Sequence, residues 1–129
     1  MLHLVFLLLR AQPGESAVET PGTVRLKEVL RRMEEEYAQP LSVEQMARGC
    51  GWSASHFMRW FKQMTGSTFN VCLNERRLAA AAERLHRSGD SVLFIAGEVG
   101  FENLSNFNRQ FKAHNGVTPR EYRRGGRSR

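Results

Sequence analysis

Arg59 and Arg109 stand in matching company: Phe57-Met58-Arg59-Trp60-Phe61-Lys62 and Phe107-Asn108-Arg109-Gln110-Phe111-Lys112. At helical spacing the two phenylalanines of each set share one face and the arginine takes the other. A guanidinium is planar, always charged, and offers its donors as a rigid fork. That fork fits the paired acceptors O6 and N7 on the major-groove edge of guanine. Lys62 and Lys112 come one turn later as compact charges suited to phosphate, which positions a protein without reading sequence. Ser42, at the start of the preceding helix, joins them as a phosphate candidate. Ser55, His56 and Met58 lie just before Arg59; Ser105, Asn106 and Asn108 lie just before Arg109. Asn matches adenine N6 and N7, and Met suits a thymine methyl. These six residues and the two arginines are the candidates for base contact. The competing reading of each arginine is a solvated surface group, or one held by phosphate alone.

The two sets belong to a longer duplication. MARGCGWSASHFMRWFKQMTG (Met46 to Gly66) is echoed by IAGEVGFENLSNFNRQFKAHNG (Ile95 to Gly116). Ala47 matches Ala96, Gly51 matches Gly100, and Trp52 matches Phe101. From Gly51 to Gly100 the offset is 49 residues; from Arg59 to Arg109 it is 50, so the second copy carries one extra residue in its turn. Each copy reads as a short helix, a glycine turn and a second helix with a basic outer face.

The elements that must position these groups are helical. Beta-branched residues are sparse and alternating apolar runs almost absent, which predicts an all-α fold. Residues 12–23 hold Pro13, Gly14, Ser16, Pro21 and Gly22 and read as a linker. A helix is expected from Val24, with Leu26, Val29, Leu30, Met33 and Tyr37 at core spacing, and Gln39-Pro40 stops it. Its Glu34-Glu35-Glu36 run reads as a solvated face. Ser42 is expected to cap a helix over 43–50, and Gly51 to take a positive φ at the reversal. Ser53 starts the next helix, with Phe57, Trp60, Phe61 and Met64 on one side and Trp52 half-buried beside the turn; Gly66 ends it. A long helix is expected over about 68–86, roughly 28 Å at the usual rise. That length compares with the roughly 34 Å between successive major-groove windows. Asp90 or Ser91 caps the second copy, with Val92, Ile95, Ala96 and Val99 as its first inner stripe. Its second helix is expected over 104–115. Thr118-Pro119 opens a last helix through Tyr122, and Arg123 to Arg129 form a frayed tail.

At 129 residues the chain holds one or two small cores. Nineteen Lys and Arg against thirteen Asp and Glu give a formal net charge of +6, which favours a polyanionic partner. Cys50 and Cys72 have apolar neighbours and no CxxC, as small buried hydrophobes do. The histidines lack ligand spacing, and no paired carboxylates, Cys-His set or phosphate-cradling glycine loop suggests an enzyme. Neither a metal nor another cofactor is expected. Leu2 to Arg10 is apolar but too short to span a bilayer, so no membrane role is expected. It reads as an apolar helix that packs outside the main domain, against an upstream domain or a second copy. A rival function is therefore a helical interaction module that pairs through Leu2 to Leu9 and no longer reads nucleic acid.

The second copy and the residues after it resemble the signature of the AraC/XylS family of bacterial transcription regulators. The matching residues are Ile95-Ala96, Gly100-Phe101, Ser105, Phe107, Arg109, Phe111-Lys112, Gly116, Thr118-Pro119 and Tyr122-Arg123. The first copy and the FNxxLNxxR stretch (Phe69 to Arg77) also fit, so the resemblance covers about residues 23–124. It implies about seven helices: two homeodomain-like helix-turn-helix subdomains, over about 42–65 and 91–115, joined by a central helix over about 68–87. It implies sequence-specific binding of double-stranded DNA in adjacent major grooves from one face, and recruitment of, or interference with, RNA polymerase. It also implies a cytoplasmic, nucleoid-associated regulator. Most members add an N-terminal ligand-sensing domain; residues 1–22 read as its end or linker, and pairing with a second copy would run through that region. Three residues depart from the pattern. Gly97 replaces a longer side chain and weakens its helix, and Met58 and Leu104 are less polar than base readers usually are.

Overall fold

In the computed structural model, residues 20–125 are described. The apolar stretch Leu2–Leu9 and the last basic residues, Arg127 and Arg129, fall outside that range. Seven helices and no strand occur among the described residues: α1 (Pro21–Glu36), α2 (Val43–Cys50), α3 (Ala54–Thr65), α4 (Phe69–Arg87), α5 (Val92–Glu98), α6 (Leu104–Asn115) and α7 (Pro119–Arg123). None of them is long and apolar enough to cross a membrane.

Two compact units share this chain. One holds α1, Leu41–Leu73 and so the first turn of α4; the other holds Tyr37–Pro40 and the chain from Asn74 onward. The core of the first unit is Leu26, Val29, Leu30 and Met33 of α1, Val43, Met46 and Ala47 of α2, Phe57 and Phe61 of α3, and Phe69, Cys72 and Leu73 of α4. Phe57, Phe61 and Phe69 form a triangle of rings 5.6–5.9 Å apart. Each such fully buried side chain contributes roughly 1.5–3 kcal/mol relative to exposure. The Cys72 thiol donates to the Met33 sulfur at 3.3 Å, tying α4 to α1. Cys50 is only half-buried, and neither cysteine is in a disulfide. Thr65, the buried polar residue, has its hydroxyl 2.9 Å from the carbonyls of both Phe61 and Ser67 and accepts from the Ser67 N–H. The core of the second unit is Leu78, Ala81 and Leu85 of α4, Ile95 and Ala96 of α5, Val99 and Phe101 of the turn, and Phe107 and Phe111 of α6. Tyr37, Val92 and Tyr122 pack against it half-buried.

Several boundaries differ from expectation. The first helix begins at Pro21, inside the segment read as a linker. Proline suits a first helical position because its missing N–H has no partner there anyway. The Thr20 hydroxyl accepts the Thr23 N–H at 3.1 Å, and Gly22 faces Trp60 and Met64. Tyr37 lies beyond α1 and serves the second core instead of the first. Trp60 and Met64 are half-buried, and Val99 is buried just past the end of α5.

Arg123, expected in a frayed tail, is the last residue of α7 and well held. Its guanidinium donates to the carbonyls of Leu85 (3.2 Å), Ser88 (3.2 Å) and Asp90 (2.6 Å). These sit at and beyond the end of α4, where helix carbonyls lack internal partners and a cation complements the dipole. Arg77 does the equivalent just past the end of α1, within the same unit. Its Nε donates to the Tyr37 carbonyl at 2.7 Å and its Nη2 to that of Gln39 at 2.8 Å, while Arg76 lies 4.4 Å above the Tyr37 ring. Burial pushes the Arg77 pKa down from its ordinary value. Each arginine thus grips the connector that leads into a two-helix unit, α2–α3 or α5–α6.

Candidate nucleic-acid interface

In the first unit, Ser42 and Gln45 form a reciprocal cap on α2: the Ser42 hydroxyl accepts the Gln45 N–H, and the Gln45 side-chain oxygen accepts the Ser42 N–H, both at 3.1 Å. The hydroxyl retains acceptor and donor capacity at a helix N-terminus, where anions are favoured. Gly51 ends α2 at φ +75°, and the following Trp52 N–H reaches back to the Ala47 carbonyl at 2.9 Å. Ser53 then caps α3 by accepting the His56 N–H at 3.2 Å.

With Phe57 and Phe61 turned fully inward, the opposite face of α3 is presented to solvent. Ser55, Met58, Arg59 and Lys62 line one shallow open groove there, with Gln63 and Thr68. Four expected contact residues therefore share one surface. Gln63, on the same outward helix face, lines it as helical spacing requires, whereas Thr68 arrives only because the chain reverses at Gly66. His56 is exposed, but its ring is stacked on Trp52 with centroids 4.3 Å apart. Arg25 of α1 lies 4.9 Å from the same indole and donates to the Cys50 carbonyl at 3.3 Å.

The second unit repeats the construction with local differences. Ser91 caps α5 through the Phe94 N–H at 3.0 Å. The helix stops at Glu98, and five residues, Val99 to Asn103, lead to α6, where three, Gly51 to Ser53, serve the first copy. One of those two added residues is the insertion seen in the sequence; the other comes from the shorter helix. Phe101 N–H bonds the Ala96 carbonyl at 2.9 Å, the counterpart of Trp52 to Ala47. Gly100 has φ +108°, and a Cβ there would lie 2.7 Å from the Arg77 Nε and 3.0 Å from the Tyr37 carbonyl oxygen. Glycine is needed both for the backbone and for that approach.

Asn103 caps α6 by accepting the Asn106 N–H at 2.8 Å. Phe107 and Phe111 are fully buried, in ring contact with Phe101 and Tyr122. Ser105, Asn108, Arg109 and Lys112 are exposed on the other side; Asn106 is half-buried. The Asn106 side-chain oxygen accepts from the Arg109 Nη2 and from the Gln110 Nε2 at 3.1 Å. Leu104, less polar than expected of a base reader, is partly exposed at the start of the helix, and Met58 is about half exposed (48%) on α3. Among the described residues no group of three or more His, Cys, Asp or Glu side chains is placed to hold a metal ion.

Two units, each with a capped first helix, a glycine turn and a second helix that buries phenylalanines and presents arginine and lysine, define a double helix-turn-helix DNA-binding protein. A family described as helix-turn-helix domain matches residues 46–125. The chain is 30% identical over 100 residues to the multiple antibiotic resistance protein MarA of Escherichia coli, covering 78% of this chain and 79% of that protein. It is 35% identical over 102 residues to the transposon Tn10 TetD protein of Escherichia coli, covering 79% and 74%. Among solved structures it is similar to an AraC-type transcriptional regulator from Chromobacterium violaceum, at 31% identity and TM-score 0.71 over 78% of this chain and 90% of that one. The DNA-binding domain of the global transcriptional factor AdpA, solved with a target DNA, is similar at 29% identity and TM-score 0.70, with the same coverage of 78% and 90%. The chain belongs to the AraC/XylS family of transcription regulators, and its function is sequence-specific DNA binding in the control of transcription.

Proposed function

We propose that the chain binds double-stranded DNA through α3 and α6, each laid in a major groove, the two grooves being successive windows on one duplex. In this reading Arg59 and Arg109 are the principal base-reading groups. Ser55, His56, Met58, Ser105, Asn106 and Asn108 complete the base-facing surfaces. Lys62, Lys112 and Ser42 meet phosphate. The observation that carries the reading is the repeated placement of an exposed arginine and lysine on helices whose opposite faces are fully buried phenylalanines. A solvated surface would not need two capped, glycine-turned copies of one arrangement. The chain acts by binding, not by catalysis, in the cytoplasm on the nucleoid, and alters transcription through RNA polymerase. Pairing with a second copy would run through residues 1–22 or a sensor domain.

The reading is tested with Arg109→Ala and a duplex enriched from random sequence by the wild-type chain. Discrimination should relax at one base pair by roughly 1–3 kcal/mol. Unchanged base preference in the variant would remove Arg109 from the reading surface.

A further inference from the structure

The duplication places Asn106 where the first copy has His56, so the two residues should do the same work. They do not. The His56 ring is stacked on Trp52, while Asn106 is turned along its own helix toward Arg109 and Gln110. Its side-chain oxygen receives both of their donors. The guanidinium has no acceptor, so the hydrogen bond from Arg109 fixes which end of the amide is oxygen. Two incoming donors occupy both lone pairs of that oxygen. Pairing with adenine would require the same oxygen to accept from N6. Asn106 therefore serves the base-facing surface through its neighbours and not by pairing with adenine itself. Its own N–H is held by Asn103 and its side chain is half-buried, so the amide starts from a fixed backbone.

A free arginine has several rotatable bonds, and ordering such a side chain on binding has an entropic cost. A guanidinium already held through one Nη2 hydrogen loses less, and its Nε and Nη1 donors, with the second Nη2 hydrogen, stay available for a base edge. We infer that Asn106 is a positioning residue: it pre-orders Arg109 for base recognition, so that the second unit reads with a braced arginine and the first, where Arg59 lines an open groove and has no such side-chain brace among the described residues, reads without one. The inference rests on the proposed base-reading role of Arg109.

The test is a double-mutant cycle on the full chain, read as the ratio of affinities for the enriched duplex and for its variant at the Arg109-dependent base pair. Asn106→Ala should reduce that ratio roughly two- to tenfold, the scale of ordering one long side chain. In an Arg109→Ala background it should change nothing. Asn106→Asp keeps an oxygen acceptor and should restore the ratio; its extra negative charge lowers affinity for both duplexes alike and cancels. Circular dichroism and thermal melting establish that each variant is folded. Loss of discrimination that persists in the Arg109→Ala background would make Asn106 a direct reader and overturn the inference. So would an Asn106→Ala ratio equal to wild type while Arg109→Ala relaxes it. If Arg109→Ala itself leaves the ratio intact, the reading of Arg109 fails, and the inference with it.

Discussion

Three turn or helix glycines should respond to alanine in a graded order that the structure sets. Gly97 lies within α5, exposed, and a Cβ there meets nothing within 4 Å. Gly97→Ala removes glycine's excess chain entropy at a helical site and should stabilise by about 0.5–1 kcal/mol. Gly51 has φ +75° and is equally open. Alanine there carries only backbone strain, about 1–2 kcal/mol. Gly100 combines φ +108° with a Cβ position 2.7 Å from the Arg77 Nε and 3.0 Å from the Tyr37 carbonyl. Arg77 cannot yield freely, because that Nε is the donor to the Tyr37 carbonyl. A hydrogen bond from a charged group is worth roughly 1.5–3 kcal/mol, and with the strain the expected loss is about 2.5–5 kcal/mol. That is a large part of the roughly 5–15 kcal/mol of a typical domain. Urea unfolding of the three variants gives the order directly. Equal losses at Gly51 and Gly100 would refute the argument that the Arg77–Tyr37 contact demands glycine. A destabilised Gly97→Ala would show that the open space beside α5 is occupied by something else.

The same geometry sets three other outcomes. Lys62→Ala and Lys112→Ala should each weaken binding about equally on all sequences and reduce the salt slope of log K by about one, as loss of one phosphate contact requires; titration at several salt concentrations measures it. Arg123→Ala frees the Leu85, Ser88 and Asp90 carbonyls and should destabilise the protein by about 1–3 kcal/mol, with Arg123→Lys intermediate because one ammonium cannot span the three; urea unfolding compares them. The Thr118 N–H bonded to Glu121 holds its carboxyl below the ordinary value. A lowered folded-state pKa adds stability that is complete above the ordinary carboxylate range and disappears as the pH falls through the depressed value. The melting-temperature difference between wild type and Glu121→Gln, which keeps the capping oxygen but does not titrate, should therefore shrink on acidification below that range.

Periodic and punctuating residues made most of the fold legible. The 3.6-residue spacing of Phe57 and Phe61, and of Phe107 and Phe111, assigns the buried faces. Ser42, Ser53, Ser91 and Thr118 each mark a helix start, and Gly51, Gly66 and Gly116 each take the left-handed conformation that ends one. Errors fell where tertiary context overrides local chemistry. Pro21 and Gly22 look like linker residues until Thr20 caps them. Tyr37 has helix-stripe spacing, yet its ring belongs to the other core. Arg77 and Arg123 stand out in the sequence only as positions of the family pattern, because nothing local reveals a grip on carbonyls 38 or 40 residues away. At the candidate interface, the exposed arginines and lysines came directly from helical geometry. The stacking of His56 and the bracing of Arg109 by Asn106 did not, since both depend on side-chain rotamers that spacing leaves open.

The central claim, that α3 and α6 both read one duplex, is tested most directly by selecting bound sites from random-sequence DNA with wild-type chain, Arg59→Ala and Arg109→Ala in parallel. The expected result is a bipartite motif with its two parts about one helical turn, roughly 10–10.5 base pairs, apart, each variant losing information in a different part. A motif confined to one part, or two variants that select the same sequences as wild type, would contradict it.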